Sequence, residues 1–115
     1  MSSECRFDEL NFFAQVKRCP GCFLGKDSLL SLRDQLIGMQ YAFSFCQIEN
    51  PLKYFFSFVE WYQSAVMSDL NGYACWWNHI LYISGNNDAD AFRMFFEYFE
   101  RYLKENCGLC LPDIK

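Results

Sequence analysis

At 115 residues the chain is sized for one domain with a substantial core. Hydrophobic residues make up 52% of it and aromatics 20%, against 3 Pro and 6 Gly, which excludes intrinsic disorder. Net charge is −4, and residues 34–92 hold six acids (Asp34, Glu49, Glu60, Asp69, Asp88, Asp90) against one base, Lys53, a balance that repels phosphate backbones and argues against direct nucleic-acid binding.

The first expected helix covers residues 7–18: Phe7, Leu10, Ala14 and Lys17 recur at steps of three and four, with Phe13 and Val16 beside them. Pro20-Gly21 should end it, since proline cannot continue the backbone ladder. A loop then follows, in which Phe23 and Leu24 plug the core and Gly25 takes a positive φ. Asp27 or Ser28 caps a second helix whose apolar seam is Leu29, Leu32, Leu36, Met39, Phe43 and Cys46. Gly38 lies inside that helix at a cost of about 1 kcal/mol relative to Ala. Close approach of a neighbouring helix is the expected compensation.

Asn50-Pro51 should open a third helix, with Leu52, Phe55, Phe56, Val59, Tyr62 and Val66 buried and Tyr54, Phe58 and Trp61 to one side. Residues 69–72 read as a loop. Tyr73, Trp76, Trp77, Ile80, Leu81 and Ser84 form a fourth helix closed by Gly85, although Ile80 to Ile83 is also a possible short strand. Asn86-Asn87-Asp88 supplies the cap of a last helix, about residues 88–106, with the stripe Phe92, Phe95, Phe96, Phe99 and Leu103. Glu97 with Arg101 and Glu100 with Lys104 are i,i+4 pairs on its surface. The fold class expected is all-α, a single-domain bundle of about five helices over residues 1–115.

Residues 17–42 carry the most specific pattern: Lys17-Arg18-Cys19-Pro20-Gly21-Cys22-Phe23-Leu24-Gly25, then Ser28-Leu29 and a helix bearing Gly38-Met39-Gln40-Tyr41-Ala42. Over residues 7–46 the chain resembles small bacterial immunity proteins of contact-dependent inhibition and other polymorphic toxin systems, although Cys19 and Cys22 stand where that family usually carries Arg and Met. The resemblance implies a non-enzymatic protein that binds a cognate toxin domain, a nuclease being the expected kind, and blocks its active site. No membrane partner is expected, because no apolar run approaches the roughly 18–20 residues of a span. The opening Met-Ser-Ser-Glu-Cys-Arg lacks an apolar signal region, and seven cysteines, an odd number, fit reduced thiols, so the expected location is the cytoplasm.

Thirteen Phe, seven Tyr and three Trp exceed what one small core buries, so some rings should serve as interface anchors. The expected partner-binding set is Glu49, Glu60, Asp69, Asp88 and Asp90 as acids that take the place of substrate phosphates, with Trp61, Tyr73 and Trp76 as aromatic anchors. Trp77 is the tryptophan expected in the core.

Two Cys-x-x-Cys pairs, Cys19/Cys22 and Cys107/Cys110, make an alternative: a zinc-stabilised or redox module. Against zinc, the chain is hydrophobic enough to fold without metal and lacks the glycine-rich knuckles of zinc ribbons. Against a thioredoxin-like motif, a helix should precede Cys19 and a loop follow it. A helical adaptor or oligomerisation domain is the third reading. His79, the sole histidine, has no nucleophile at a diagnostic spacing and reads as a partly buried helix residue. No catalytic, cofactor or metal site is expected.

Overall fold

The computed structural model describes residues 8–47, 49, 51–67 and 75–112. Among these, six helices and no strand occur: α1 (Glu9–Arg18), α2 (Pro20–Leu24), α3 (Leu29–Phe45), α4 (Lys53–Trp61), α5 (Trp76–Ile83) and α6 (Asp88–Tyr102). Single π-helical turns, Tyr62–Val66 and Leu103–Cys107, extend α4 and α6. The architecture is all-α. Asp69, Gly72 and Tyr73, with the turn expected there, lie outside the described residues.

Local chemistry sets most helix starts. Asp8, Ser28 and Asn87 each sit in extended backbone and accept from the backbone N–H three residues on, at 3.1, 3.1 and 3.0 Å. Gly25, Gly85 and Gly108 take left-handed φ values of 82°, 76° and 67° at the ends of α2, α5 and α6's π turn.

α4 starts differently. Leu52, the residue before it, provides no side-chain cap. The carboxylate of Glu9 on α1 reaches across and accepts from the N–H groups of Tyr54 at 2.9 Å and Phe55 at 2.7 Å. A buried acid thus holds the unpaired donors of a distant helix.

α2 is the element the sequence did not announce. Pro20 ends α1 as expected, but it also occupies the first turn of α2, where its fixed φ and missing N–H cost nothing. Cys19 is therefore the hinge residue, its N–H donating back to Gln15 O while its own carbonyl accepts from Cys22 N–H at 3.0 Å.

α6 is the hub, packing against α3, α4 and α5. One hydrophobic cluster draws on α1, α3, α4, α5 and α6, and its centre is aromatic. Phe13 of α1 lies 4.8 Å from Phe99, which stacks on Phe95 at 5.6 Å and 11° and meets Phe58 of α4 edge-on at 5.4 Å. Such edge-to-face and offset pairs add to the burial of each ring. The stripe expected on α6 is buried throughout.

Three packing expectations are corrected. On α4 it is Phe58 that is fully buried, while Phe56 is 42% exposed. On α3 the seam is buried only at Leu29, Leu32 and Leu36; Met39 and Phe43 are half-buried and Cys46 is exposed. The core ends before the helix does. Gly38, expected under a neighbouring helix, is exposed, and a Cβ there would meet nothing within 4 Å.

The surface ion pairs also differ. Glu100 pairs with Lys17 of α1 at 2.5 Å, and Arg101 with Glu105 at 3.3 Å while lying 5.6 Å from the Trp61 ring. A cross-helix base beside Glu100 and an aromatic face beside Arg101 outcompete the pairs that spacing alone favoured. No helix is long and apolar enough to cross a membrane among the described residues.

Candidate functional site

Among the acids expected to form a patch, Glu60 lies toward the opposite end of α6 from Asp88 and Asp90. Asp88 is half-buried: it accepts from Ser28 Oγ and, at 3.1 Å, from Leu30 N–H, so it caps α3 from the start of α6. Asp90 pairs with Arg93 on its own helix. Glu49 is exposed and lies 3.9 Å from Lys53. Glu60 is exposed on α4; burial first, and to a smaller extent the nearby Glu60 charge, raise the Tyr102 pKa. Asp90 and Tyr102 are separated by the length of α6, about 18 Å at 1.5 Å per residue. That distance is roughly twice the screening length at physiological salt. Asp69 falls outside the described residues.

The two tryptophans exchange the places expected of them. Trp76 is buried (9% exposed), with its ring 5.4 Å from Phe55 and 5.5 Å from Phe95. Trp77 is half-buried and carries the Arg33 guanidinium 4.4 Å from its ring centroid. Adjacent positions at the start of a helix point about 100° apart, so the direction in which α5 enters the bundle decides between them. Trp61 is half-buried against Tyr102 at 5.6 Å.

What the fold does bring together is an apolar groove. α3 packs on α5 and α6, and α4 packs on α6; between them opens a cleft of about 210 Å³. Its floor is Leu36, Phe55 and Trp76, and its walls are Ile37, Phe56, Val59 and Trp77. Arg33 and Gln40 supply the polar rim. Arg33 is fixed there by Trp77 and by Asp34 Oδ1, which accepts from its Nε and Nη2 at 2.9 and 2.8 Å.

A ridge continues from the groove along α3. Ile37, Tyr41 and Phe45 are spaced i, i+4, i+8, so they share one face, and their exposure climbs from 43% to 63% to 84%. Sequence reading missed these residues, having followed the seam on the other face. The signal was present in the apolar residues that surround α3 on more than one side.

Tyr62 and His79 form a titratable pair inside the bundle. Tyr62 Oη lies 2.5 Å from His79 Nδ1, and both side chains are buried. Burial raises the Tyr62 pKa and lowers that of His79, so both are held neutral and share one hydrogen bond whose direction follows the imidazole tautomer. No third group completes a catalytic relay with them among the interactions described, and the pair ties α4's π turn to α5.

The cysteine pairs are not assembled as a metal site. No group of three or more His, Cys, Asp or Glu among the described residues is placed to hold a metal ion. Cys107 is engaged by the Tyr102 hydroxyl, which Ser57 also contacts. Cys19 and Cys22 are exposed and interact with each other. Comparison of the chain with protein-family profiles, with curated proteins and with solved structures found no match.

Proposed function

We propose that this chain is a non-enzymatic inhibitor of the immunity type, which docks on a cognate bacterial toxin domain through the α3–α4–α5 groove and the Ile37–Tyr41–Phe45 ridge and thereby covers the toxin's active site. The observation that carries the docking reading is the ridge itself. Three large apolar side chains stand in line on one helix face and run out of a groove walled by Phe56 and Trp77. Removing such surface from water is the main favourable term in association, and rings seated at the centre of an interface contribute most of it. Arg33 and Gln40 at the rim offer directional hydrogen bonds around that centre.

Support for a toxin as the partner is the resemblance over residues 7–46, the stretch that contains α1, α2 and the ridge. A nuclease domain is the toxin class that resemblance implies. The inhibitory step is steric: a helix ridge held on a rigid aromatic core fills or overlies the cleft of the toxin. Apolar contact, rather than a cluster of carboxylates, supplies the affinity.

The test is co-expression with candidate toxin domains of the nuclease class, scored by growth rescue and by titration of the purified pair. Replacing Tyr41 and Phe45 together by Asp should weaken the complex by about 30-fold, roughly 2 kcal/mol. Helicity and unfolding midpoint should stay as in the parent. Glu49→Lys with Glu60→Lys should change affinity little. The reading fails if the ridge variant binds and rescues like the parent. It also fails if light scattering shows the ridge already covered by a second copy of the chain.

A further inference from the structure

Cys19 and Cys22 are placed by the backbone one helical turn apart at the corner between α1 and α2. Cys19 is the residue at which α1 stops and α2 begins, and its carbonyl holds the Cys22 N–H at 3.0 Å. The two thiols are in hydrogen-bond contact, so their sulfurs already face one another. Closing a bridge requires the two sulfurs to approach further at this corner. Both thiols are exposed. Arg18 and Lys26, also exposed, flank the corner with positive charge. None of these residues lines the groove.

The geometry points to a thiol–disulfide exchange site at Cys19 and Cys22, which reacts reversibly with a small anionic disulfide of the glutathione type. Cys19 is the attacking sulfur and Cys22 the resolving one. The Cys22 thiol hydrogen-bonds to Cys19, and that contact raises the Cys22 pKa, which favours Cys19 as the first sulfur to react. In the first step the Cys19 thiolate attacks one sulfur of the small disulfide. The S–S bond breaks, a mixed disulfide forms on Cys19, and one thiolate leaves to take up a proton. Cys22 then loses its proton and attacks Cys19 Sγ, displacing the second thiolate. The protein dithiol is oxidised by two electrons, and one small disulfide is reduced to two thiols. Exposure of both sulfurs leaves the bridge open to attack by small thiols, which makes the cycle reversible. The site stands independently of the docking reading.

The full-length chain would be equilibrated in glutathione buffers from reducing to oxidising, acid-quenched, alkylated and digested with trypsin. Cleavage after Arg18 and Lys26 releases residues 19–26, which contain both thiols and no other cysteine. This peptide should pass from doubly alkylated to unalkylated with two hydrogens lost, at a poise where Cys46 and Cys75 still alkylate. Cys22→Ser should trap glutathione on Cys19, and Cys19→Ser should acquire it at Cys22 about tenfold more slowly. Full alkylation at every poise would overturn the proposal. So would equal trapping in the two variants, or a bridge from either residue to a third cysteine.

Discussion

Glu9 is separated by 45 residues from Tyr54, whose N–H it accepts, yet no residue beside α4 does that work. Burial raises the Glu9 pKa above its ordinary 4.5, against the backbone N–H groups of Tyr54, Phe55 and Lys53, which pull it down. The folded protein thus binds the proton more tightly than the unfolded chain does. Glu9's contribution to stability is therefore fully present below the unfolded value and declines as pH rises through the raised folded one. Glu9→Ala leaves two buried donors without an acceptor and should destabilise the protein by about 2–3 kcal/mol in urea unfolding at neutral pH. Glu9→Gln, which cannot ionise, should lack the decline above pH 4.5 seen in the parent. Parallel pH profiles for the two proteins would contradict this account. Reading from sequence found Glu9's helix but not its role, because a carboxylate that serves a helix many residues away has no local signature. Trp76 and Trp77 teach the same point: their exposure depends on the angle at which α5 meets α4 and α6.

Among the elements, α3 divides into a buried half and a projecting half. Leu29, Leu32 and Leu36 are sealed by α5 and α6, whereas Tyr41 and Phe45 extend past the core. Gly38 lies at that division with open space where its Cβ would be. Gly38→Ala should therefore stabilise the isolated chain by about 1 kcal/mol, because alanine restricts the unfolded backbone and favours helix. Denaturant midpoints will show it, and a loss of stability would mean that something packs on Gly38 after all. α2 was hidden for a different reason. Proline reads as a stop, and only the direction taken by the chain after Cys19 shows that it also serves as a start. That single reversal turns Cys19 and Cys22 from loop residues into a pair held on one turn.

At the scale of the molecule, charge and apolar surface are arranged differently. Asp88 and Asp90 at one end of α6 and Glu60 toward the other are too far apart for a shared field, and the first two already have partners of their own. The groove and ridge form one continuous apolar surface instead. Association with the proposed toxin partner should accordingly depend little on ionic strength, with an on-rate that falls less than about threefold between 50 and 500 mM salt. Stopped-flow mixing across that range gives the answer. A fall of an order of magnitude or more would restore acidic steering.

The sequence by itself determined the helical class, the side-chain caps of α3 and α6, the glycine stops and the buried stripe of α6, since each depends on neighbours within four or five positions. Tertiary structure alone decided which tryptophan is buried, that Asp88 and Glu9 hold other helices' backbones, and that Ile37, Tyr41 and Phe45 stand in water. Those outcomes follow from how whole helices cross. A helix's periodicity specifies that it has an apolar face but not how far along its length a partner will cover that face.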